Sequence, residues 1–472
     1  MESRLSRKTK IISTLGPATD SPDMLRRLIV AGVNIFRLNM SHAPHDWVRR
    51  VVRDIRAIST ELDNFVGIMM DTQGPAIRTG ELPVPLALEP GQTFTLTVRG
   101  QRSEEERSVD VNYANFVNDI DVGDVVLIDN GAIEMKVLSK DGNKVECEVL
   151  TAGTLGSRRH INLPGVKVSL PALTSKDVSD VKLGLELGVD FIALSFVREA
   201  KDLQLLRKMF HGSRRNPLVI AKIESQEAIA QLEEIIKEAD AVMVARGDLG
   251  IELPYEELPI IQRRIVKDCL HYGRPVIVAT HMLESMIESP MPTRAEVTDV
   301  ANAVYEQADA IMLSGETTVG KYPLKCVEVF DRIARRTERS GGANYFEHAR
   351  LTSPRQKLVK SAVIMANELK ADALLVFTLR GHMARFTSWM RPRYSQIYAF
   401  CDDPDVAEEL VLSWGITPFV IAFDHANPER AIDSALSTLK ESGRIKTGDM
   451  AVIVSSISAG HEVVDAVQMR VI

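Results

Sequence analysis

The sequence has few cysteines and no long apolar stretch. Its four cysteines are far apart and form no C-x-x-C pair, which argues against a disulfide framework or a cysteine-ligated zinc site and fits a reducing compartment. No apolar run approaches the roughly 18 residues that a membrane span needs. The basic N-terminal segment also lacks the apolar stretch of a secretory signal. We therefore expect a cytoplasmic protein that does not enter a membrane.

A strong excess of charge of either sign is also missing. The net charge is −7, from 57 basic and 64 acidic residues. Such a mild negative balance argues against non-specific binding to nucleic acid or to membrane surfaces, but it leaves room for a local basic pocket. With 45% apolar and 26% charged residues, the composition is that of a soluble globular protein. A length of 472 residues suggests about three domains.

Short apolar runs, each ending in polar or charged residues, recur eight times in the first two thirds of the chain. They span Lys10–Thr14, Asn34–Ser41, Val66–Thr72, Asp190–Val197, Leu218–Ser225, Ala241–Asp248, Pro275–Thr280 and Ala310–Glu316. Buried parallel strands have this continuous apolar pattern. Helix-like stretches separate most of the runs, so the pattern predicts an α/β fold with a (β/α)8 TIM barrel, formed by residues 1–73 and 171–338.

Residues 74–170 interrupt this pattern between the third and fourth runs. Their alternating segments are typical of hairpin strands, with turns at Asn130-Gly131 and Asp141-Gly142. We predict a small inserted β-barrel domain on the C-terminal face of the larger barrel, where it can serve as a lid.

The last part of the chain is predicted to form a separate domain. Residues 339–355 are polar and rich in Gly and Ser, as in a linker, and residues 356–472 return to alternating strands and helices. Five strands are too few for a second barrel and predict an open twisted α/β sheet. The candidate strands are Ala373–Thr378, Gln396–Cys401, Pro418–Phe423, Met450–Ser455 and Ala466–Ile472.

Polar side chains cluster where the eight predicted barrel strands end, which is where barrel enzymes have their active sites. These residues are Thr14, Arg37, Asn39, Ser41, Asp71, Thr72, Ser195, Lys222, Glu224, Arg246, Asp248, Thr280, Ser314 and Glu316. Glu224 and Asp248 follow adjacent strands and could face one cation, and oxygen ligands of this kind suit Mg²⁺ or Mn²⁺. Arg37, Arg78 and Lys222 could hold a phosphate and offset charge during phosphoryl transfer.

Each of these residues, taken alone, also has a structural interpretation. Arg37 could form a salt bridge at the barrel rim, and Lys222 could simply pair with Glu224. Asp248 could be a helix N-cap, and Thr280 and Ser314 could hydrogen-bond their own turns. Charges facing a barrel interior are costly, so the recurrence of such residues at seven of the eight strand ends favours a functional site.

Eight motifs in this order resemble the pyruvate kinase family from about Thr9 to Glu338. They are RLNMSH (37–42), DTQGPAIRT (71–79), NLPG (162–165), AKIES (221–225), VARGDLGIE (244–252), ATHMLESM (279–286), PTRAEVTDVANAV (292–304) and IMLSGET (311–317). The resemblance implies an enzyme that transfers the phosphoryl group of phosphoenolpyruvate to ADP, giving pyruvate and ATP. It also implies a homotetramer, with the helix after Thr293 near a subunit interface.

The resemblance implies a role for each matching position. Lys222 would neutralise the transferring phosphoryl group, and Glu224 and Asp248 would hold Mg²⁺. The other substrate contacts would come from Ala245, Gly247, Asp248 and Thr280. The expected catalytic set is Lys222, Arg37, Thr280, Arg78 and Ser314, and the expected nucleotide contacts are Arg37, His42, Arg78 and Arg159. K⁺ would be bound by Asn39, Ser41, Asp71 and Thr72.

The sequence departs from the family pattern at several positions. Ala76 stands where K⁺-dependent members have Glu and K⁺-independent members have Lys, so K⁺ dependence stays open; the retained Asp71 and Thr72 favour it. His160 replaces the usual Gly beside Arg159, and His281 replaces the usual Gln near the active-site mouth. The preferred nucleoside diphosphate therefore also stays open.

The loops that bind fructose 1,6-bisphosphate in some family members are altered here. They read TLRGHMAR (378–385) and SSISAGHEVV (455–464), and both changes remove hydrogen-bond donors for phosphate. We predict that this bisphosphate is not a strong activator; large activation in a titration would contradict this. Arg380, His382 and Arg385 could still bind a monophosphate, or they could be a solvated face.

Two other functions remain open at this point. One is a different barrel enzyme acting on phosphoenolpyruvate or pyruvate, such as a lyase or mutase, which would not need the lid or the Arg and Lys phosphate set. The other is a non-catalytic, metabolite-sensing relative. The intact Lys222, Glu224, Asp248 and Thr280 argue against the second.

Overall fold

The computed structural model describes residues 7–98, 107–213, 215–423, 428–459 and 462–472, and it begins with three parallel strands joined by two helices. These elements are β1 (Lys10–Thr14), α1 (Pro22–Val30), β2 (Ile35–Asn39), α2 (His45–Glu61) and β3 (Gly67–Asp71). Ser21 caps α1 by accepting a hydrogen bond from the Met24 amide at 3.3 Å, and Pro22 suits the first helical position.

The insertion forms the predicted β domain. Its elements are β4 (Leu86–Leu88), β5 (Thr93–Val98), β6 (Ser108–Val111), α3 (Phe116–Asp119), β7 (Val125–Ile128), β8 (Ile133–Asp141), β9 (Lys144–Val149), β10 (Gly153–Leu155) and β11 (Ile161–Asn162). Six strands pair in the order β11-β7-β8-β9-β5-β6, and β10 pairs with β4. Asn130, Gly131 and Gly142 adopt positive φ angles, which confirms the two predicted hairpin turns.

Five further strands complete the large barrel. This part contains α4 (Ser175–Leu187), β12 (Phe191–Leu194), α5 (Ala200–Lys208), β13 (Leu218–Ile223), α6 (Gln226–Ala230), α7 (Leu232–Glu238), β14 (Ala241–Ala245), α8 (Arg246–Glu252), α9 (Leu258–Tyr272), β15 (Val276–Ala279), a 3₁₀ helix (Glu284–Ile287), α10 (Arg294–Tyr305), β16 (Ala310–Leu313), α11 (Gly315–Thr318) and α12 (Pro323–Glu338). The parallel strands close in the order β1-β2-β3-β12-β13-β14-β15-β16, confirming the (β/α)8 barrel. Met69, Phe191 and Ile220 are among the buried residues of its interior core.

Seven of the eight barrel strands end one to three residues before the predicted runs do, and after two of them a short helix begins. The sixth run was expected to extend to Asp248, but β14 ends at Ala245 and α8 begins at Arg246. The eighth was expected to reach Glu316, but β16 ends at Leu313. In both places the polar residues after the apolar run belong to a short helix at the barrel mouth, so only the apolar part lies in the sheet.

The C-terminal domain is an open five-stranded sheet. After a 3₁₀ helix (Tyr345–His348) come α13 (Pro354–Leu369), β17 (Ala373–Phe377), α14 (His382–Trp389), β18 (Gln396–Cys401), α15 (Pro404–Leu410), β19 (Ile416–Val420), α16 (Pro428–Glu441), β20 (Met450–Ala459) and β21 (Glu462–Val471). The order is β19-β18-β17-β20-β21, with β21 antiparallel to β20. The strand predicted at Pro418–Phe423 is displaced toward the N-terminus; Pro418 is accommodated because β19 is an edge strand.

The exact domain limits stay predictions. The C-terminal domain was predicted to begin at residue 356, whereas α13 already begins at Pro354. The four cysteines are buried and unpaired, which agrees with the absence of a disulfide framework. None of the described helices combines the length and apolarity that crossing a bilayer requires.

Buried polar contacts join the barrel to the C-terminal domain. Arg391 donates to the Asp309 carboxylate at 2.7 Å, and both side chains are almost fully buried. Asp309 also accepts from the backbone amides of Val276 at 3.0 Å and Trp414 at 3.1 Å. Because these groups come from both domains and are almost fully buried, the interface depends on their exact pairing.

Candidate active site

The Lys222 ammonium lies at the centre of the polar cluster at the barrel mouth. Its Nζ is 2.9 Å from Glu224 Oε1 and 3.1 Å from Asp71 Oδ1, and it donates to Ser195 Oγ at 2.6 Å. Burial alone would lower the pKa of Lys222, but the Asp71 and Glu224 carboxylates outweigh that effect and raise it. Lys222 is therefore a permanent cation, held by side chains from three strands.

Asp71 holds this cation in place and also positions an arginine. Its Oδ2 accepts from Arg37 Nε at 2.6 Å, while Arg37 Nη1 donates to Thr14 Oγ1 at 3.1 Å. Burial would raise the pKa of Asp71, but Arg37 and Lys222 together lower it. The carboxylate is thus ionised and bridges the two cations, so both point into the same region of the barrel mouth.

The Glu224 carboxylate is buried between the Lys222 ammonium and the Asp248 carboxylate. Its Oε2 accepts from the Phe196 amide at 2.6 Å, and its Oε1 lies 2.9 Å from Lys222 Nζ but has no further partner among the described residues. Burial, opposed by Lys222 and reinforced by the nearby Asp248 carboxylate, raises the pKa of Glu224 to about 7. Two neighbouring carboxylates with only one ammonium beside them fit a bound divalent cation. Among the described residues no group of three or more His, Cys, Asp or Glu side chains could hold a metal ion by itself, so substrate and water oxygens would complete the coordination, as Mg²⁺ favours.

The segment after β14 faces the loop after β15. The Gly247 amide donates to Thr280 Oγ1 at 2.7 Å, and Thr280 Oγ1 donates to the Ala279 carbonyl at 2.6 Å. Thr280 has a φ of 68°, an unfavourable angle for a β-branched residue. Its carbonyl is held by Arg246 Nη2 at 2.6 Å, and Arg246 is anchored to Asp299 at 2.7 Å. Arg246 therefore keeps the strained Thr280 loop in place.

The predicted lid residues lie on the inserted domain. Arg78 is exposed, its Nη1 donates to the Arg158 carbonyl at 3.2 Å, and it pairs by a β-bridge with His160. Arg159 Nη1 contacts Asp129 Oδ1 at 3.2 Å. Burial lowers the pKa of His160, and the Asp248 carboxylate only partly opposes this. His160 on the lid thus faces the carboxylate of the barrel mouth, and Arg78 lies beside it.

The four residues predicted for K⁺ are only partly brought together by direct contacts. Asn39 Oδ1 accepts from the Ser41 amide at 3.2 Å. Thr72 Oγ1 is engaged with the neighbouring strand, since it donates to the Ala193 carbonyl at 3.2 Å and accepts from the Ser195 amide at 3.0 Å. Asp71 is already paired with two cations. The structural contacts do not test the K⁺ assignment, which stays a prediction.

The structural alternatives hold for some of these residues. Arg37 and Lys222 do form ion pairs, and Thr280 does bond its own turn, but all three pairings lie inside the barrel mouth. Asp248 is not an N-cap, because α8 begins at Arg246 with Ala245 as its cap residue. The buried Ser314 hydroxyl has no hydrogen-bond partner in the part of the chain that the structure describes, so it is available to a ligand.

The side chains of Ser195 and Arg246 contribute to the site, although the sequence assigned a role only to the backbone of the segment Arg246-Gly247-Asp248 and none to these two side chains. Both follow a barrel strand, and this position was the only signal that could have identified them. Glu316 shows the limit of that signal. It follows a strand too, but its carboxylate accepts from the backbone amides of Leu283 at 2.9 Å and Ser314 at 2.7 Å and so has a structural role.

The three effector candidates meet at the start of α14. Arg385 Nη1 approaches the Arg380 carbonyl at 3.4 Å, and Nη2 donates to Glu409 at 2.7 Å. Burial first, and then Arg385 and Arg380, lower the pKa of His382, so the three side chains share one positive environment. In the second loop, residues 460–461 and the side chains of 456–459 and 462–464 lie outside the described residues, so the predicted weak response to fructose 1,6-bisphosphate stays a prediction.

A closed barrel whose mouth holds a buried ammonium, two carboxylates and arginines has the arrangement of a phosphotransferase. The sequence matches the family models for the pyruvate kinase barrel domain over residues 6–327 and the pyruvate kinase alpha/beta domain over residues 356–469. The chain belongs to the pyruvate kinase family.

Similar proteins cover nearly the whole chain. Plastidial pyruvate kinase 2 of Arabidopsis thaliana is 43% identical over 95% of this chain and 78% of its own length. Pyruvate kinase of Staphylococcus epidermidis is 37% identical over 97% of this chain and 79% of its own length. The crystal structure of a pyruvate kinase from Cryptosporidium parvum superimposes with a TM-score of 0.93 at 35% identity, covering 98% of this chain and 96% of that one.

Proposed function

We propose that this chain transfers the phosphoryl group of phosphoenolpyruvate to ADP, producing pyruvate and ATP. The observation that carries the proposal is the Lys222 ammonium, held at the barrel mouth by Asp71, Glu224 and Ser195. A fixed cation offsets negative charge on the phosphoryl group and on the enolate oxygen that it leaves, without reorganising during the reaction. The lyase or mutase alternative loses support because the family match includes both the barrel and the C-terminal domain.

The other residues of the mouth bind and orient the substrates in this proposal. Arg37, fixed by Asp71, contacts a phosphate. The backbone around Ala245, Gly247 and Asp248 binds the carboxylate of the substrate together with Thr280. The nucleotide phosphates are contacted by Arg78 and Arg159 on the lid and by His42 on a loop of the barrel. Closure of the lid excludes water, which strengthens each of these charge interactions.

Glu224 and Asp248 would hold the divalent cation, Mg²⁺ or Mn²⁺. When bound, it supplies positive charge to the substrate oxygens. K⁺ would be bound by Asn39, Ser41, Asp71 and Thr72 and adds charge near the phosphates. These cofactor assignments are supported by the proximity of the buried Glu224 and Asp248 carboxylates and by the oxygen-rich chemistry of both residue sets.

We expect the affinity for Mn²⁺ to fall about tenfold from pH 8 to pH 6 in the absence of substrate. The pKa of Glu224 is raised to about 7, so the carboxyl is largely ionised at pH 8 and largely protonated at pH 6. The cation must displace this proton at the lower pH, which weakens binding about tenfold over the whole interval. Electron paramagnetic resonance of free Mn²⁺ measures the affinity. Glu224→Gln should bind weakly and without this pH dependence; a similar slope in that variant would contradict the assignment.

A coupled assay with phosphoenolpyruvate, ADP and Mg²⁺ tests the proposed function directly. We expect pyruvate formation that depends on all three and is stimulated by K⁺. Turnover that is equal in Na⁺ and K⁺ would show that Asp71 and Thr72 do not form a functional K⁺ site. Binding of phosphoenolpyruvate without turnover under any of these conditions would favour the non-catalytic relative.

We also propose a cytoplasmic homotetramer. Met291, Val297 and Tyr305, in and just before α10, are exposed apolar residues, and an interface between subunits would cover them. Sedimentation equilibrium measures the assembly state, and replacing Val297 and Tyr305 with Ser should shift it toward smaller species. The cytoplasmic location rests on the sequence features described above and is tested by fluorescence microscopy of the tagged full-length chain.

A further inference from the structure

A cavity of about 440 Å³ lies where the lid joins the barrel. Its walls come from both connections of the lid, residues 75–77 and 160–170, and from the barrel segments that follow β12, β13 and β14. Lys222, Glu224 and Asp248 are not among the described residues that line it. The cavity therefore adjoins the catalytic cluster without including its ammonium or its two carboxylates, and its size is that of a small-molecule site.

One wall of the cavity carries a buried acceptor without a donor. Asn162 is 5% exposed, and none of the described residues donates a hydrogen bond to its Oδ1. A buried amide oxygen left unpaired costs about 1–3 kcal/mol, and such groups are uncommon in native interiors. A donor on a bound molecule would satisfy this oxygen.

A carboxyl group lies beside this acceptor. Glu252, the last residue of α8, lines the same cavity, and its side chain lies against Asn162. Burial raises the pKa of Glu252 to about 7, and Asp248 adds to the effect. Within the described part of the chain no ion pair reaches Glu252. The site thus offers two kinds of acceptor, and neither is paired with a cation within the described residues.

The remaining walls favour an apolar body, and their two cations, Arg198 and Lys167, form no ion pair with Glu252 in the described part of the chain. Phe196, Leu163 and Val166 contribute apolar surface. The Arg198 guanidinium donates hydrogen bonds to the carbonyls of Val168 at 2.8 Å and Leu170 at 2.7 Å. Lys167 is exposed at the edge. A molecule with an ammonium group and an apolar or aromatic body matches this combination.

We propose that this cavity is a binding site for a small organic amine, with its ammonium between Asn162 and Glu252 and its apolar body against Phe196. Both connections of the lid line the site, so its shape changes whenever the lid moves relative to the barrel. A bound amine therefore favours one lid position, and the affinity for the nucleotide is coupled to that for the amine. The binding itself does not rest on the proposed function.

Calorimetric titration of the full chain with 2-phenylethylamine tests the site. We expect millimolar or tighter binding, and at least about tenfold weaker binding for Glu252→Gln, because a charge-assisted contact is lost. The matched control is Glu256→Gln, which removes an exposed carboxylate on the same segment and should leave the affinity unchanged. Phenylacetate and 2-phenylethanol, which share the aromatic body but lack the ammonium, should bind at least about tenfold more weakly.

Two results would overturn this proposal. One is equal binding of the amine, the acid and the alcohol; the other is an affinity that Glu252→Gln does not change. If Glu252→Gln fails to fold, Val166→Trp fills the cavity from its apolar wall and should abolish binding; retained binding in that variant also overturns the proposal.

In the coupled assay the amine should change the KM for ADP, and binding without this change would refute the coupling to the lid. Absence of turnover with amine binding intact would instead refute only the proposed function.

Discussion

Replacing Lys222 with Met is expected to lower kcat by about a thousandfold or more. The substitution removes the one ammonium that Asp71, Ser195 and Glu224 hold at the barrel mouth. Losing a single preorganised donor to a developing negative charge typically costs a hundredfold to a thousandfold, and here a full buried charge is lost as well. The lactate dehydrogenase-coupled assay at saturating phosphoenolpyruvate and ADP measures the change.

Thermal unfolding separates this catalytic effect from a loss of structure. Lys222→Met leaves the Asp71 and Glu224 carboxylates without their shared cation, so some destabilisation is expected together with the loss of turnover. The matched control is Lys208→Met, an exposed lysine on α5, which should retain the wild-type kcat. A folded Lys222→Met variant with most of its activity would show that the catalytic cation is a different residue.

Replacing Arg391 with Met is expected to destabilise the protein by about 3 kcal/mol and to lower the midpoint of thermal unfolding by several degrees. Arg391 and Asp309 form a buried ion pair at 2.7 Å between the C-terminal domain and the barrel. Breaking one side of a buried pair leaves an uncompensated charge, which costs about 3–5 kcal/mol. The two backbone amides that Asp309 retains place the expected loss near the lower end.

A double-mutant cycle shows whether the unpaired charge is the cause. Asp309→Asn combined with Arg391→Met removes both charges while an amide oxygen remains to accept from the backbone. The double variant should therefore be more stable than Arg391→Met alone. Arg393→Met changes an exposed arginine two residues away and should shift the unfolding midpoint little. If Arg393→Met and Arg391→Met behaved alike, the buried pair would have no special role.

Strand identity could be predicted because it depends on local composition. All eight barrel runs form strands, and β1 matches its predicted bounds, Lys10–Thr14. Strand ends were less accurate, as at Ala245, where the following Arg246 begins a helix. The polar residues after an apolar run belong to the mouth of the barrel whether they continue the strand or start a helix, so the sequence pattern alone does not separate the two.

The functional residues at the strand ends were recognised by position, but their partners were not. Ser195 and Lys222 are 27 residues apart and come within 2.6 Å, because closure of the barrel places β12 beside β13. Arg246 holds Thr280 across neighbouring strands in the same way. Sequence spacing does not show which side chains share one space. Taken singly, Arg37 and Lys222 each had a structural interpretation, and only the recurrence of polar residues at the strand ends favoured a functional one.

The order of residues along the chain was enough to establish three features. These are the barrel with its inserted β domain, the hairpin turns, whose glycines permit positive φ angles, and the ring of polar groups at the barrel mouth. Long-range packing produced the rest. It surrounded one ammonium with two carboxylates, buried Arg391 against Asp309, and left Asn162 without a donor beside Glu252. The physical reason is that hydrophobic periodicity and turn preferences act over a few residues, whereas desolvation and charge pairing depend on which distant segments the closed barrel brings together.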